Sequence, residues 1–312
     1  MRLILNIIRL ILWGPVRKTV SFLPPAFLVI IERLLAMIAY RLLSGRRELL
    51  LKELARCFGG KKGKAYIDRA VRDSFRIYVS SQIRLFYLPR LNSSNIARYI
   101  SVEGLQYLDQ ELEKGKGAII LNPHFGPFMM IMPALGYRGY KLNQMALQGE
   151  PPWGARQGLD KKVYDMKFRS VEGNMPVKFI NAASGTFSLR EAIKALKNNE
   201  IVFYPSTGMG GTVFHPVGLM GRRIMLSMTP FNAAKKTGAS LLPAFVINEG
   251  AMIKLKIEKA VESDTAEVGA EAYARILDEY VTKYPEHFAM YIYEVNKNIR
   301  MGGTPFFAGQ EP

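Results

Sequence analysis

From Gly117 onward, short β-rich runs alternate with stretches of helical length, and this alternation constrains the fold more than any other feature of the chain. The runs "GAIIL" and "KLNQMAL" bracket a loop and a helical stretch. "VKFI" precedes the helical "SLREAIKALKNN", which ends at the strand-like "EIVFYP". "GTVFHPV" and "RRIML" are separated by a glycine-bearing turn. The helical "MTPFNAAKKTG" leads into "ASLLPAFVI" and "MIKLKIE", and two helices are expected from about Val268. Connections long enough to hold a helix imply parallel strand pairing. The pattern therefore predicts an α/β fold with a twisted, largely parallel sheet covered by helices.

The first hundred residues have a different texture. Helices are expected over 25–43, 48–57 and 65–88, the last with Ile67, Val71, Phe75, Tyr78, Val79 and Ile83 at helical spacing. This divides the chain into a hydrophobic and basic segment (1–45), a helical subdomain (46–100) and an α/β domain (101–312). Residues 1–90 carry 18 basic and 5 acidic side chains, whereas the rest of the chain carries 25 and 21. A basic end suits nucleic acid or an anionic bilayer. Here the charges are interleaved with "MRLILNIIRLILWGPVRK" and "FLPPAFLVIIERLLAMIAYRLLSGRR", which favours a membrane surface over nucleic acid. Neither tract is a clean span. Leu3–Trp13 falls short of the ~20 residues needed and contains Arg9, and Phe22–Leu43 is interrupted by Glu32, Arg33 and Arg41. Interfacial helices with snorkelling Arg and Lys fit better, with an ordinary core helix over Phe22–Leu43 as the alternative.

Between two of the strands lies "LNPHFGPFMM". His124 would stand at the carboxyl end of a strand, with Pro127 as the first helical residue, a place where sites of open α/β sheets tend to lie. The positive end of a helix favours the neutral imidazole, the form able to accept a proton. Gly126 lets backbone approach a ligand and has an N–H to offer a developing oxyanion. The plainer reading of His124 is a buried turn histidine.

"GKGAIILNPHFGPFMMIMPALG" resembles the signature of the glycerolipid acyltransferase superfamily, in particular its late lipid A acyltransferases and phosphatidylinositol mannoside acyltransferases. "IVFYPSTGMGGTVFHPVGLMGRRIML" with "TPFNAAKKTGASLLPAF" is similar to a second block of that family. The resemblance runs from "LLKELARCF" to "YPEHFAMYIYEVNK". It implies a membrane-associated enzyme on the cytoplasmic face of the bacterial inner membrane, with membrane lipids and an acyl carrier protein or coenzyme A thioester as co-substrate. His124 would take the acceptor hydroxyl proton while an acid orients the imidazole. Asn122, Phe125, Gly126, Phe128, Met129, Ser206, Thr207, Gly208, Gly210, Gly211, Arg222 and Arg223 then become candidate substrate-binding positions.

The sequence departs from that pattern at polar positions. The acid expected five residues after His124 is Met129. An acidic pair expected after Pro205 is Ser206 and Thr207, and a basic residue expected near the end of the preceding strand falls about Gln148. Removing the charge of an orienting carboxylate costs ~10⁴ in rate in a serine-protease triad. Glu150, Asp160, Glu172 or a backbone carbonyl are the candidate substitutes. A catalytically impaired or repurposed homologue, acting as a lipid-binding protein or partner subunit, is the alternative.

The remaining features narrow the chemistry. Three scattered histidines and the single Cys57 give no metal-ligand spacing and no disulfide framework. "STGMGG" lacks the order of a P-loop, so nucleotide hydrolysis is disfavoured and no resident cofactor is expected. Arg222 and Arg223 are placed to pair with a phosphate or to form a solvated basic turn. His215 reads as a strand-edge or pocket-lining residue, and His287 as a residue that caps or packs the last helix. Met129, Met130, Met132, Phe125 and Phe128 fit either an acyl-chain channel or plain core.

Overall fold

The computed structural model describes residues 2–146, 158–182, 185–207, 212–299 and 306–307. Its strands are β1 (Ile100–Glu103), β2 (Ala118–Leu121), β3 (Leu142–Ala146), β4 (Lys178–Asn181), β5 (Ile201–Tyr204), β6 (Phe214–Leu219), β7 (Arg222–Ser227), β8 (Ser240–Glu249) and β9 (Met252–Ile257). Seven form one sheet in the order β1-β9-β8-β2-β5-β3-β4, parallel throughout except for the antiparallel pair β8–β9. The α/β expectation holds. "GTVFHPV" and "RRIML", on either side of the glycine-bearing turn, form a separate antiparallel hairpin, β6–β7.

Strands buried on both faces read as continuous apolar runs. That is why "AIIL" in β2 and "IVFY" in β5, every residue of which is buried, occupy the centre. Alternate side chains point to opposite faces. Ile119, Leu121, Val202, Tyr204 and Phe245 join the core on one face. Ala118, Ile120, Ile201, Phe203 and Val246 join the core on the other.

The helices are α1 (Arg2–Ile11), α2 (Arg17–Val20), α3 (Pro25–Leu42), α4 (Ser44–Phe58), α5 (Lys64–Arg84), α6 (Leu105–Glu113), α7 (Ile131–Gly136), α8 (Gly158–Glu172), α9 (Thr186–Lys197), α10 (Thr229–Thr237), α11 (Ala266–Lys283) and α12 (Pro285–Ile299). A wide π-type turn over Leu12–Val16, containing Pro15, joins α1 to α2. The helix expected over 65–88 stops at Arg84 and tightens into a 3₁₀ segment, Leu85–Arg90, because Pro89 cannot continue the α-helical ladder.

In α5 the periodic Ile67, Val71 and Phe75 are buried, as their spacing requires. Arg84 at its end reaches Ser80 Oγ, Asn248 Oδ1 and the Gly250 carbonyl, which ties the helix to the β8–β9 turn. Helix α3 behaves differently. Its inner side buries Leu28, Glu32 and Ala36. Burial raises the pKa of the Glu32 carboxyl, and Arg84 and the Ser80 hydroxyl pull it back. Its outer side exposes Phe27, Ile30, Leu34, Leu35, Met37, Ile38 and Leu42. Among the described residues no helix is long and apolar enough to cross a membrane.

Candidate active site

Strand order creates the site. Strands β2 and β5 lie side by side in parallel, with Leu121 opposite Tyr204. Each strand then leaves the sheet, and three residues beyond that pair come His124 on one loop and Thr207 on the other. Asn122 pins the two loops together at their origin, its N–H donating to the Tyr204 carbonyl at 3.1 Å. At the carboxyl edge of the sheet, His124 Nδ1 lies 2.7 Å from Thr207 Oγ1.

Helix α12 closes the arrangement from the side. The Tyr291 ring stacks on the imidazole with centroids 4.5 Å apart and planes 6° from parallel, and the Phe128 ring meets it at 60° and 4.7 Å. The Tyr291 hydroxyl donates to the Thr207 carbonyl at 3.1 Å. One residue earlier, Ser206 Oγ and the Tyr273 hydroxyl of α11 are 2.6 Å apart. Thr207 is 1% exposed and Ser206 3%.

His124 keeps some accessible surface, yet protein surrounds the ring closely enough that burial lowers its pKa from the usual value near 6.5 to about 4. Desolvation disfavours the imidazolium, so at neutral pH the ring is neutral and able to accept a proton. Burial also raises the pKa of Tyr291 and of Tyr273 well above the ordinary phenol range.

Several expected residues take other places. Pro127 does not open an α-helix; it caps a 3₁₀ turn, Phe128–Met130, followed by the six-residue α7 with Pro133 inside it. Desolvation, not a long helix dipole, therefore lowers the His124 pKa. The Gly126 N–H donates to the His287 carbonyl at 2.8 Å, so it is engaged within the fold rather than presented to an oxyanion. Gly126 is required for another reason. Its φ is +58°, and a Cβ there would run into the Val246 carbonyl oxygen and lie 2.8 Å from His287 Cδ2.

Phe125, Met130 and Met132 are core, and Met129 is half-buried against the second core. Asn122 is buried, and its Oδ1, like the Tyr204 hydroxyl, has no hydrogen-bond partner among the described residues.

Arg222 is committed elsewhere. It pairs with buried Glu53 at 2.9 Å and lies over the Phe307 ring at 3.9 Å. Arg223 is exposed on the hairpin. His215 pairs with Glu271 at the surface. His287 packs the last helix, as expected: its Nε2 accepts from the Asn248 N–H and its ring stacks on Phe125. Gln148, Glu150, Gly208, Gly210, Gly211 and the Asp160 side chain lie outside the described residues, and Glu172 ends α8. Among the described residues no group of three or more His, Cys, Asp or Glu is arranged to hold a metal ion.

Tyr291 and Tyr273 were not candidates from sequence. The available signal was the four-residue spacing of His287 and Tyr291 on α12, which puts both on one face of the helix, toward the His124 loop.

Fold and site together define an α/β protein whose polar cluster stands at the carboxyl ends of adjacent parallel strands. Within that class, the chain belongs to the bacterial lipid A biosynthesis acyltransferase family, whose model matches residues 6–293. It is also similar to the phosphatidylinositol mannoside acyltransferase of Mycobacterium tuberculosis. Identity is 25% over 245 residues in strain ATCC 25618 / H37Rv and 24% over 246 in strain CDC 1551 / Oshkosh. Each match covers 78% of this chain and 74% of the relative. The chain is a lipid acyltransferase by family.

Proposed function

We propose that the protein transfers a fatty acyl chain from an acyl carrier protein or coenzyme A thioester to a hydroxyl or amine of a membrane lipid or glycolipid, with His124 as general base. The observation that carries this reading is the neutral imidazole at the ends of β2 and β5, in a chain whose family transfers acyl groups. His124 takes the acceptor proton as the acceptor oxygen or nitrogen attacks the thioester carbonyl. The thiolate leaves and recovers that proton from the imidazolium.

Membrane docking belongs to the same proposal. Ile7, Ile11, Phe27, Ile30, Leu34 and Ile38 expose apolar surface on α1 and α3, with Arg33 and Arg41 exposed beside them. Apolar contact plus cationic side chains suits the interface of an anionic bilayer. The cytoplasmic face of the bacterial inner membrane is where such a surface would meet both acyl thioesters and lipid acceptors.

The test is thioester consumption by the purified full chain with acyl-coenzyme A or acyl carrier protein and a bacterial lipid extract. Transfer that disappears in His124→Ala supports the reading. Transfer of equal rate in His124→Ala removes His124 from the chemistry, and no transfer with any donor points to a repurposed homologue.

A further inference from the structure

A histidine base needs a partner on one ring nitrogen, because that contact fixes the tautomer and decides which nitrogen keeps the lone pair. The family pattern supplies a carboxylate five residues after the histidine, and here that position is Met129, packed against the core. Among the described residues the side chain hydrogen-bonded to His124 is Thr207, and no carboxylate approaches closely enough to raise the proton affinity of the ring.

We propose that Thr207 is the positioning residue for His124: its hydroxyl accepts the Nδ1 hydrogen and leaves the lone pair on Nε2, while Tyr291 holds both partners in place. The inference rests on the proposed role of His124 as a base.

Three observations carry it. The hydroxyl is 2.7 Å from Nδ1 and sits on a residue almost fully buried, where water does not compete for it. Tyr291 touches both members of the pair, stacking on the imidazole and donating to the Thr207 carbonyl. Finally, the two loops leave paired positions of adjacent strands, so the spacing of His124 and Thr207 is set by the sheet rather than by long side chains.

The exchange of a carboxylate for a hydroxyl has a chemical signature. A carboxylate orients the ring and also stabilises the imidazolium that forms during transfer; a hydroxyl only orients it. The titratable group that meets the ring is Tyr291 of α12. Tyr273 of α11 lies one contact further away, on Ser206, and both phenols stay neutral over the working range. The base should therefore work without ionic assistance, with the acid limb of its pH–rate profile set by desolvation alone.

The experiment compares wild type, Thr207→Val, Thr207→Ser, Thr207→Asp and His124→Ala, each as the whole 312-residue chain. It measures kcat and KM for thioester transfer across pH, and the imidazole tautomer by NMR of protein labelled with ¹⁵N-histidine. Expected results are a wild-type His124 protonated on Nδ1, and a five- to tenfold lower kcat with little change in KM in Thr207→Val, the scale of one neutral hydrogen bond. Thr207→Ser should restore both rate and tautomer. In Thr207→Asp, the acid limb should move to higher pH.

A wild-type ring protonated on Nε2 would overturn the proposal. So would a Thr207→Val enzyme with wild-type kcat and tautomer, or an acyl group recovered covalently on Thr207 after quenching, which would make it a nucleophile. If Thr207→Val does not fold, the wild-type tautomer and the Ser and Asp variants still decide the matter. Loss of the proposed function looks different: transfer would then be absent or insensitive to His124→Ala, whatever the tautomer.

Discussion

The imidazole of His124 lies 6° from parallel to the ring of Tyr291, with centroids 4.5 Å apart. Stacking holds the plane of the ring, and the Thr207 hydroxyl sets its rotation within that plane. The two contacts can be separated. Tyr291→Phe keeps the ring and loses the hydrogen bond to the Thr207 carbonyl, so kcat should fall about fivefold. Tyr291→Leu also removes the stacked face and should fall further, by tenfold or more. Steady-state kinetics of the two variants at matched folded fraction checks the order.

The pKa of His124 makes stability depend on pH in a definite direction. In the unfolded chain the ring titrates near 6.5, and in the native protein at about 4. Between those values the unfolded state binds a proton that the native state does not. The contribution of His124 is therefore fully present above pH 6.5 and is lost as pH falls toward 4. Replacing the ring by His124→Gln should flatten the fall in Tm over that window. Scanning calorimetry of both proteins between pH 4 and 7 reads the difference, and parallel curves would contradict the assignment.

Gly126→Ala should destabilise the fold by about 2–4 kcal/mol, because it combines a positive φ with a Cβ driven into the Val246 carbonyl. Val246 and His287 both crowd this position, so the loss should appear as a lower urea midpoint rather than as a change in KM.

Arg222 and Arg223 are adjacent in sequence and unlike in consequence. Arg222→Met strips buried Glu53 of its partner from the hairpin and should cost about 2 kcal/mol, less than a fully isolated pair because Arg56 also contacts Glu53. Arg223→Ala, at an exposed position, should change stability by less than about 0.5 kcal/mol. Chemical denaturation of the two single variants tests the contrast.

Replacing Phe27 and Leu34 together by Glu should weaken co-sedimentation with anionic phospholipid vesicles while leaving Tm within a few degrees of wild type, since both side chains are exposed. Equal vesicle binding would relocate the docking face.

Much of the scaffold is written locally in the chain. The apolar runs of β2 and β5 read as buried strands, and the spacing of Ile67, Val71 and Phe75 reads as a helix, because each depends on neighbours a few residues away. His124 stands out for the same reason, after a strand and before Gly126 and Pro127.

The partnership with Thr207 is not local. Strands β3 and β4 intervene in sequence, yet β5 lies directly against β2, and one sequence does not disclose that order. Thr207 thus drew notice as a replaced acid rather than as the neighbour of His124. Gly126 shows the reverse limit: its tight backbone was legible, but whether its N–H was free depended on where the His287 carbonyl would dock.

The placement of Tyr291 on α12 carries a consequence for biosynthesis. Chains are made from the amino end, and early parts begin to fold while later parts are still being added. The strands that carry His124 and Thr207 precede α12 in the chain, so the ring that steadies the imidazole is added after both. The pairing of His124 with Thr207 is thereby steadied only once α12 has docked against the edge of the sheet.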